Sequence, residues 1–300
     1  MLPVLLMPHL LWSQHFQIGQ MDMEFTDPGR KGRVIEALVL YPSDSGGCDV
    51  PLALPDRGGF PVVVFGHGYQ MPVEPYHNIW DGLVPEGFVV VLPRTGSGMF
   101  PSHERFGKDM AFLLEEMIRF SSDSATFFSG KLHESGCLMG HSMGGGAAIL
   151  GAVHGKLVRT LVLLAPLDTR PSSAKAAREL TIPALVFAGS QDRITPPEKH
   201  QQPIYDSLPG LHKTYISILG GTHCQMAESH QRCDAVEKAL YPEPGISREE
   251  QHRVLDRYLL PWLQFYLRAD SSAGSVFDQE LLADPAVSYR REGNFSKNSW

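Results

Sequence analysis

Gly140-His141-Ser142-Met143-Gly144 sets a serine between two glycines, the stretch of this sequence best suited to covalent chemistry. It follows a short apolar run at 136–139 and precedes small residues, from Gly145 on, that begin a helical pattern. In that strand–turn–helix setting a G-x-S-x-G pattern makes a tight bend that exposes the hydroxyl above a sheet edge. The bend also sets the hydroxyl over a helix N-terminus, which favours developing negative charge. Such a turn leaves no room for neighbouring side chains, so Gly140 and Gly144 are the residues it needs.

A serine hydroxyl is a weak nucleophile at neutral pH unless an imidazole takes its proton and a carboxylate fixes the imidazole's tautomer. With this kind of elbow the acid, then the histidine, follow the serine along the chain, in loops beyond the carboxyl ends of strands. Asp192 ends Gly189-Ser190-Gln191-Asp192 after an apolar run at 184–188, and His223 ends Gly220-Gly221-Thr222-His223 after a run at 214–218. Taken singly, Asp192 reads equally as a turn residue and His223 as one solvated histidine among 13. Their order and joint placement with Ser142 favour a triad. Asp168 is the competing acid, whereas Asp206 falls within an expected helix and Glu228 comes after the histidine.

Attack by Ser142 on a carbonyl would create an oxyanion, which two backbone N–H groups must hold, each worth about 3 kcal/mol. Met143, next after the serine, supplies one. Tyr69 is expected to supply the other, from the small-residue loop Gly66-His67-Gly68-Tyr69-Gln70. His67 reads as structural. His141 reads as a packing residue at the edge of the substrate cleft, and Leu167 is assigned to the cleft as well.

The elements that must carry these loops follow from hydrophobic periodicity. Continuous β-branched and aromatic runs at 62–65, 88–92, 136–139, 160–164, 184–188 and 214–218 read as strands buried on both faces. Segments of helical period alternate with them at 105–120, 145–154, 198–208 and 249–267. This alternation specifies a mostly parallel central sheet with helices on both faces, an α/β architecture. Two earlier runs, 17–25 and 34–41, flank Asp27-Pro28-Gly29 and predict an antiparallel N-terminal strand pair. Residues 225–247 interrupt the pattern and read as an insertion near the site.

The sequence has 300 residues, 43% hydrophobic and 20% charged, with formal net charge −7. That composition is globular, and without a basic stripe it gives no reason to expect a nucleic-acid partner. No apolar stretch reaches the ~18 residues of a membrane-spanning helix. Residues 1–14 open with an apolar run lacking a preceding Lys or Arg, which fits a signal segment and an N-terminal extension about equally. The main domain is expected over 15–270, with a less regular C-terminal tail over 271–300. Four cysteines form no CxxC pair, so a structural zinc site is not expected. Cys224 and Cys233 share one loop, where a local disulfide and two free thiols are equally open readings.

The motifs GHGY, GHSMGGG, AGSQD and GGTH, in this order and spacing, resemble the cutinase-like polyester hydrolases and the related dienelactone-hydrolase-like and chlorophyllase-like esterases of the α/β-hydrolase superfamily. The resemblance covers about 34–267. It implies the α/β-hydrolase fold, a serine carboxylic-ester hydrolase with triad Ser142, Asp192 and His223, and an oxyanion hole of Tyr69 and Met143 amides. It further implies an open cleft whose acyl portion touches the Tyr69 and Met143 side chains, with no metal and no organic cofactor. The implied partner is a small-molecule or polymeric ester. The implied location is secreted or periplasmic, with the cytoplasm as alternative. Polyester-active members usually carry a Trp in the loop after the strand matching 160–164. Here that loop reads Ala165-Pro166-Leu167-Asp168, and the loop after His223 is long. A small to medium ester is therefore the expected substrate, with polyester, cutin or lipid-acetyl esters, or a non-catalytic binding role, as alternatives.

Overall fold

Each of the buried apolar runs becomes a strand in the computed structural model, which describes residues 15–55, 58–240, 245–293 and 295. The strands are β1 (Gln17–Asp27), β2 (Arg33–Ser43), β3 (Gly47–Cys48), β4 (Phe60–Gly66), β5 (Val89–Pro93), β6 (Leu132–His141), β7 (Val158–Leu164), β8 (Ala184–Gly189), β9 (Lys213–Ile218) and β10 (Val287–Glu292). The helices are α1 (His77–Leu83), α2 (His103–Ser121), α3 (Met143–Ala152), α4 (Ser173–Ala176), α5 (Gln201–Ser207), α6 (Gln231–Leu240), α7 (Arg248–Arg268) and α8 (Ser271–Ala283). All strands join one sheet, ordered β10-β9-β8-β7-β6-β4-β5-β2-β1-β3. From β5 to β9 neighbouring strands are parallel. On one side β2 and β1 continue antiparallel, in register from Gln17 against Ser43 to Asp27 against Arg33.

Successive side chains of a strand point to opposite faces, and the sheet has apolar cores on both. Val62, Val64, Leu138, Leu161, Leu163 and Val186 belong to one core. Val63, Phe65, Met139, Val162, Leu164 and Phe187 belong to the other. On the first face α2 contributes Met110, Leu113, Leu114 and Met117, each worth about 1.5–3 kcal/mol when fully buried. Ser102 starts that helix by accepting a hydrogen bond from the Arg105 amide. On the second face α7 contributes Val254, Leu255, Leu259 and Leu263. It begins with a reciprocal Ser247–Glu250 capping box. Its Trp262 Nε1–H donates to Thr160 Oγ1 at 2.9 Å, which fixes α7 on β7.

The C-terminal region differs from the sequence expectation. Instead of a less regular tail, Asp270 caps α8 by accepting from the Ser272 and Ala273 amides, and β10 extends the sheet antiparallel to β9. The interrupting stretch 225–247 contains α6. Residues 1–14, read as signal segment or extension, lie outside the described residues. Among the described residues, no helix is long and apolar enough to cross a membrane.

The first hairpin is held to the fold by a buried charge cluster. Asp109, fully enclosed in mid-α2, accepts from Arg33 Nε and Nη2 at 2.7 and 2.6 Å, from Arg30 Nη1 at 2.6 Å and from Thr95 Oγ1 at 2.8 Å. Removing Asp109 leaves Arg33, about a quarter exposed, and the Thr95 hydroxyl without this acceptor, while Arg30 keeps Asp27, at a cost of about 1–3 kcal/mol. Asp109→Ala is therefore expected to lower stability by that amount in chemical denaturation. A loss under 1 kcal/mol would show that the cluster carries no net stabilisation.

Candidate active site

Ser142 sits between β6 and α3 with φ +55° and ψ −118°, a backbone conformation that L-residues avoid and that the surroundings must impose. Its N–H donates to Leu164 O at 2.9 Å, and its carbonyl accepts from Gly146 N at 3.1 Å and Leu167 N at 2.9 Å. The flanking glycines are required by space. A Cβ on Gly144 would stand 2.0 Å from Gly66 O, and one on Gly140 would stand 2.5 Å from the backbone of Gly144. Gly144→Ala must push the end of β4 and the loop after it away from α3. We expect both a lower melting temperature and a loss of turnover. Retention of wild-type values in thermal melts and ester assays would contradict this tight packing.

His223 lies just beyond β9 and Asp192 just beyond β8. His223 Nδ1–H donates to Asp192 Oδ2 at 2.7 Å, and both side chains are almost wholly buried. Asp192 Oδ1 meanwhile accepts from the amides of Ile194 at 2.9 Å and Thr195 at 2.8 Å. The carboxylate thus closes its own turn and holds the imidazole at once. Asp168, the competing acid, is engaged elsewhere: its Oδ1 accepts from Ser172 Oγ at 2.8 Å and the Ala174 amide at 3.0 Å at the start of α4.

Ser142, His141 and His223 line one cleft of about 220 Å³ with Tyr69, Met71, Ile194, Arg232 and Val236. Tyr69 follows β4 and is half exposed, its hydroxyl donating to Met99 O at 2.8 Å. Two cleft assignments do not fit the structure. The Met143 side chain is fully buried in the α2–α3 core, because the helix turns it away from the cleft. Leu167 is absent from the described cleft lining; it touches the elbow through its amide and receives Ser173 Oγ on its carbonyl.

The residues that orient this site escaped the sequence reading. Thr195 Oγ1 lies 2.8 Å from Asp192 Oδ2 and 2.9 Å from His223 Nδ1, and Gln201 Nε2 donates to it at 2.9 Å. Gln251 of α7 brackets the residue before the histidine, accepting from Thr222 N and donating to Thr222 O, both at 2.9 Å. The Asp-x-x-Thr spacing at 192–195 was a readable turn signal. Nothing local announces Gln251. A disulfide joins Cys224 to Cys233, with Cα atoms 5.8 Å apart, so the chain just after His223 is tied to α6. Glu237 of α6 accepts from the Cys224 amide at 2.8 Å.

His141 packs behind the pair, its ring centroid 4.6 Å from that of His223. The Gly68 amide donates to Tyr76 Oη at 2.8 Å, and Tyr76 Oη lies 2.9 Å from His141 Nδ1. Tyr76 Oη thus links the Gly68 amide to His141, with Met71 Sδ 3.5 Å away as a further acceptor of its proton. Burial first, and the nearby His223 second, hold the His141 pKa well below its usual range. The unfolded chain takes up this proton below about pH 6.5 and the folded one does not. His141 is therefore expected to weaken the fold as pH falls through that value, by about 1.4 kcal/mol per unit. Urea midpoints measured from pH 7 to 5 should lose part of their slope in His141→Gln. An unchanged slope would mean that His141 protonates in the folded state.

The family model described as "PETase: PET hydrolase-like" matches residues 37–240, from β2 to the end of α6. The chain belongs to this PET hydrolase-like family. Its sheet is accordingly that of the α/β-hydrolase fold, and the matched span contains Ser142, Asp192, His223 and the α6 wall. Cutinase 1 of Thermobifida cellulosilytica is 33% identical over 171 residues, 56% of this chain and 62% of the relative. Cutinase est1 of Thermobifida alba is 27% identical over 170 residues, 56% and 55% of the two chains. Bis(hydroxyethyl) terephthalate hydrolase of Streptomyces coelicolor is 28% identical over 167 residues, 55% and 51% of the two chains. The matches to this PET hydrolase-like chain thus span about half the length of these curated relatives.

Proposed function

We propose that this chain is a serine carboxylic-ester hydrolase acting on small to medium esters through an acyl-enzyme. The observation that carries the reading is His223, held by Asp192 at 2.7 Å, lining one cleft with a serine on a strained elbow. With Nδ1–H given to Asp192, the lone pair of the imidazole is on Nε2. As the Ser142 oxygen bonds to the ester carbonyl carbon, Nε2 takes the hydroxyl proton. The resulting oxyanion is held by the Met143 amide, at the N-terminus of α3 where helix amides lack intrahelical partners. The Tyr69 amide is the second donor, since the Gly68 amide is already bonded to Tyr76. Collapse breaks the bond to the alcohol, which leaves with the proton from Nε2. Water then gives a proton to Nε2 and bonds to the acyl carbon, and Ser142 departs with that proton.

A cleft of about 220 Å³ is small among ligand sites, which span about 300–1,000 Å³, and favours short acyl groups. Polyester or cutin is the second reading. The relatives' names support it, as do Met99 and Phe100, 66% and 93% exposed beside Tyr69. The Cys224–Cys233 disulfide supports a secreted or periplasmic location, where such bonds persist. Chromogenic esters of rising acyl length, run beside a polyester film, test the substrate class. The small-ester reading expects kcat/KM to peak at short chains with little release from the film. The opposite ranking would favour the polymer.

A further inference from the structure

We infer that Arg232, on the α6 wall of the cleft, selects esters whose non-reacting end carries a carboxylate, such as monoesters of dicarboxylic acids. The inference rests on the hydrolase reading and specifies its substrate. Among the described residues that line the cleft with Ser142 there is no Asp or Glu, although the chain as a whole carries net charge −7. Arg232 and His230 both line it. The carboxylates near Arg232 along the chain are engaged elsewhere. Asp234 bonds Arg248 at 2.8 Å and Ser229 at 2.6 Å, Glu237 takes the Cys224 amide, and Glu228 faces His252 at 3.5 Å. Among the described residues nothing neutralises the Arg232 guanidinium.

An unneutralised guanidinium on a cleft wall that holds no carboxylate is a site for an anion, since a carboxylate is drawn to the cation and accepts charge-assisted hydrogen bonds from it. The wall is also fixed in place. The disulfide, the Glu237–Cys224 bond and the Arg248–Asp234 pair hold α6 to the chain that carries His223. Charge selection is therefore built onto the same support as the base. The reaction that would supply such a substrate is a first cleavage of a dicarboxylic diester, which leaves one ester and one free carboxylate.

The test compares 4-nitrophenyl hydrogen glutarate, anionic at neutral pH, with 4-nitrophenyl methyl glutarate, its neutral cap, on the full chain. The expected kcat/KM ratio favours the anionic ester at low salt and falls as salt is added. Arg232→Gln should reduce that ratio about tenfold, as expected for one charge-assisted contact, and Arg232→Glu should reduce it further. Lys238→Gln, which removes the same charge from an exposed α6 position outside the cleft lining, should leave the ratio unchanged. If both esters are cleaved and Arg232→Gln leaves the ratio within a factor of two of wild type, the charge-selection inference is wrong and the hydrolase reading stands. If the folded wild-type chain cleaves neither, both fail together.

Discussion

Ser142→Ala is expected to lower kcat for a good ester by about 10⁵–10⁶-fold while leaving the melting temperature within a few degrees of wild type. The first half follows from the chemistry, because no other hydroxyl stands at the elbow between β6 and α3. The second follows from the backbone. Serine and alanine carry the same strain at φ +55°, and the hydrogen bonds that anchor this residue use its amide and carbonyl, which the substitution keeps. Residual rate above the uncatalysed reaction should remain, because the oxyanion donors and the cleft are intact. Steady-state kinetics together with a thermal melt check both halves. Turnover within tenfold of wild type would remove Ser142 from the mechanism.

Asp192→Asn is expected to cost about 10⁴-fold in kcat, for a different reason. The Ile194 and Thr195 amides hold one oxygen of this side chain as an acceptor. In asparagine the carbonyl must remain there, so the amide NH₂ takes the place of Oδ2 and faces His223 Nδ1. Two donors cannot share that contact, so the imidazole moves its proton to Nε2, the atom that must accept from Ser142. Thr195 Oγ1, whose proton was directed at Oδ2, is left with Ala165 O at 3.3 Å and the deprotonated His223 Nδ1 at 2.9 Å as acceptors, the latter in competition with the new amide. The loss should therefore appear mainly in kcat, with KM changed little. A drop of less than about tenfold would mean that the carboxylate orients no base. Asp168, committed to the start of α4, is in no position to substitute.

What could be read ahead of the structure divides along physical lines. The positions of Ser142, Asp192 and His223 just beyond core strands were legible because each follows a continuous apolar run, and because the elbow glycines are sterically compelled. The strand runs themselves stand out for the same reason, since burial on both faces leaves no polar alternation. β10 was not legible. Its VSYRRE sequence lies at the edge of the sheet, largely solvated, and carries no apolar run to betray it. The start of α8 did carry a signal, Asp270 followed by serines, but its apolar face is sparse. Thr195, Gln201 and Gln251 are polar residues whose significance exists only once β8, β9 and α7 are brought together. The Asp109 cluster is hidden in the same way, since a single acid on the buried face of α2 has meaning only opposite Arg30 and Arg33. Met143 misled in part, since its amide and side chain have different destinations: one at the head of α3, the other in the core.

Treating the full chain with a fluorophosphonate and mapping the adduct by peptide mass spectrometry interrogates the proposed nucleophile directly. One phosphonyl group is predicted, on the peptide that contains Ser142, with labelling much slower in Asp192→Asn and absent in Ser142→Ala. Active enzyme that stays unlabelled, or that carries its adduct on another residue while turnover is lost, would contradict the assignment of Ser142, His223 and Asp192 as one catalytic unit.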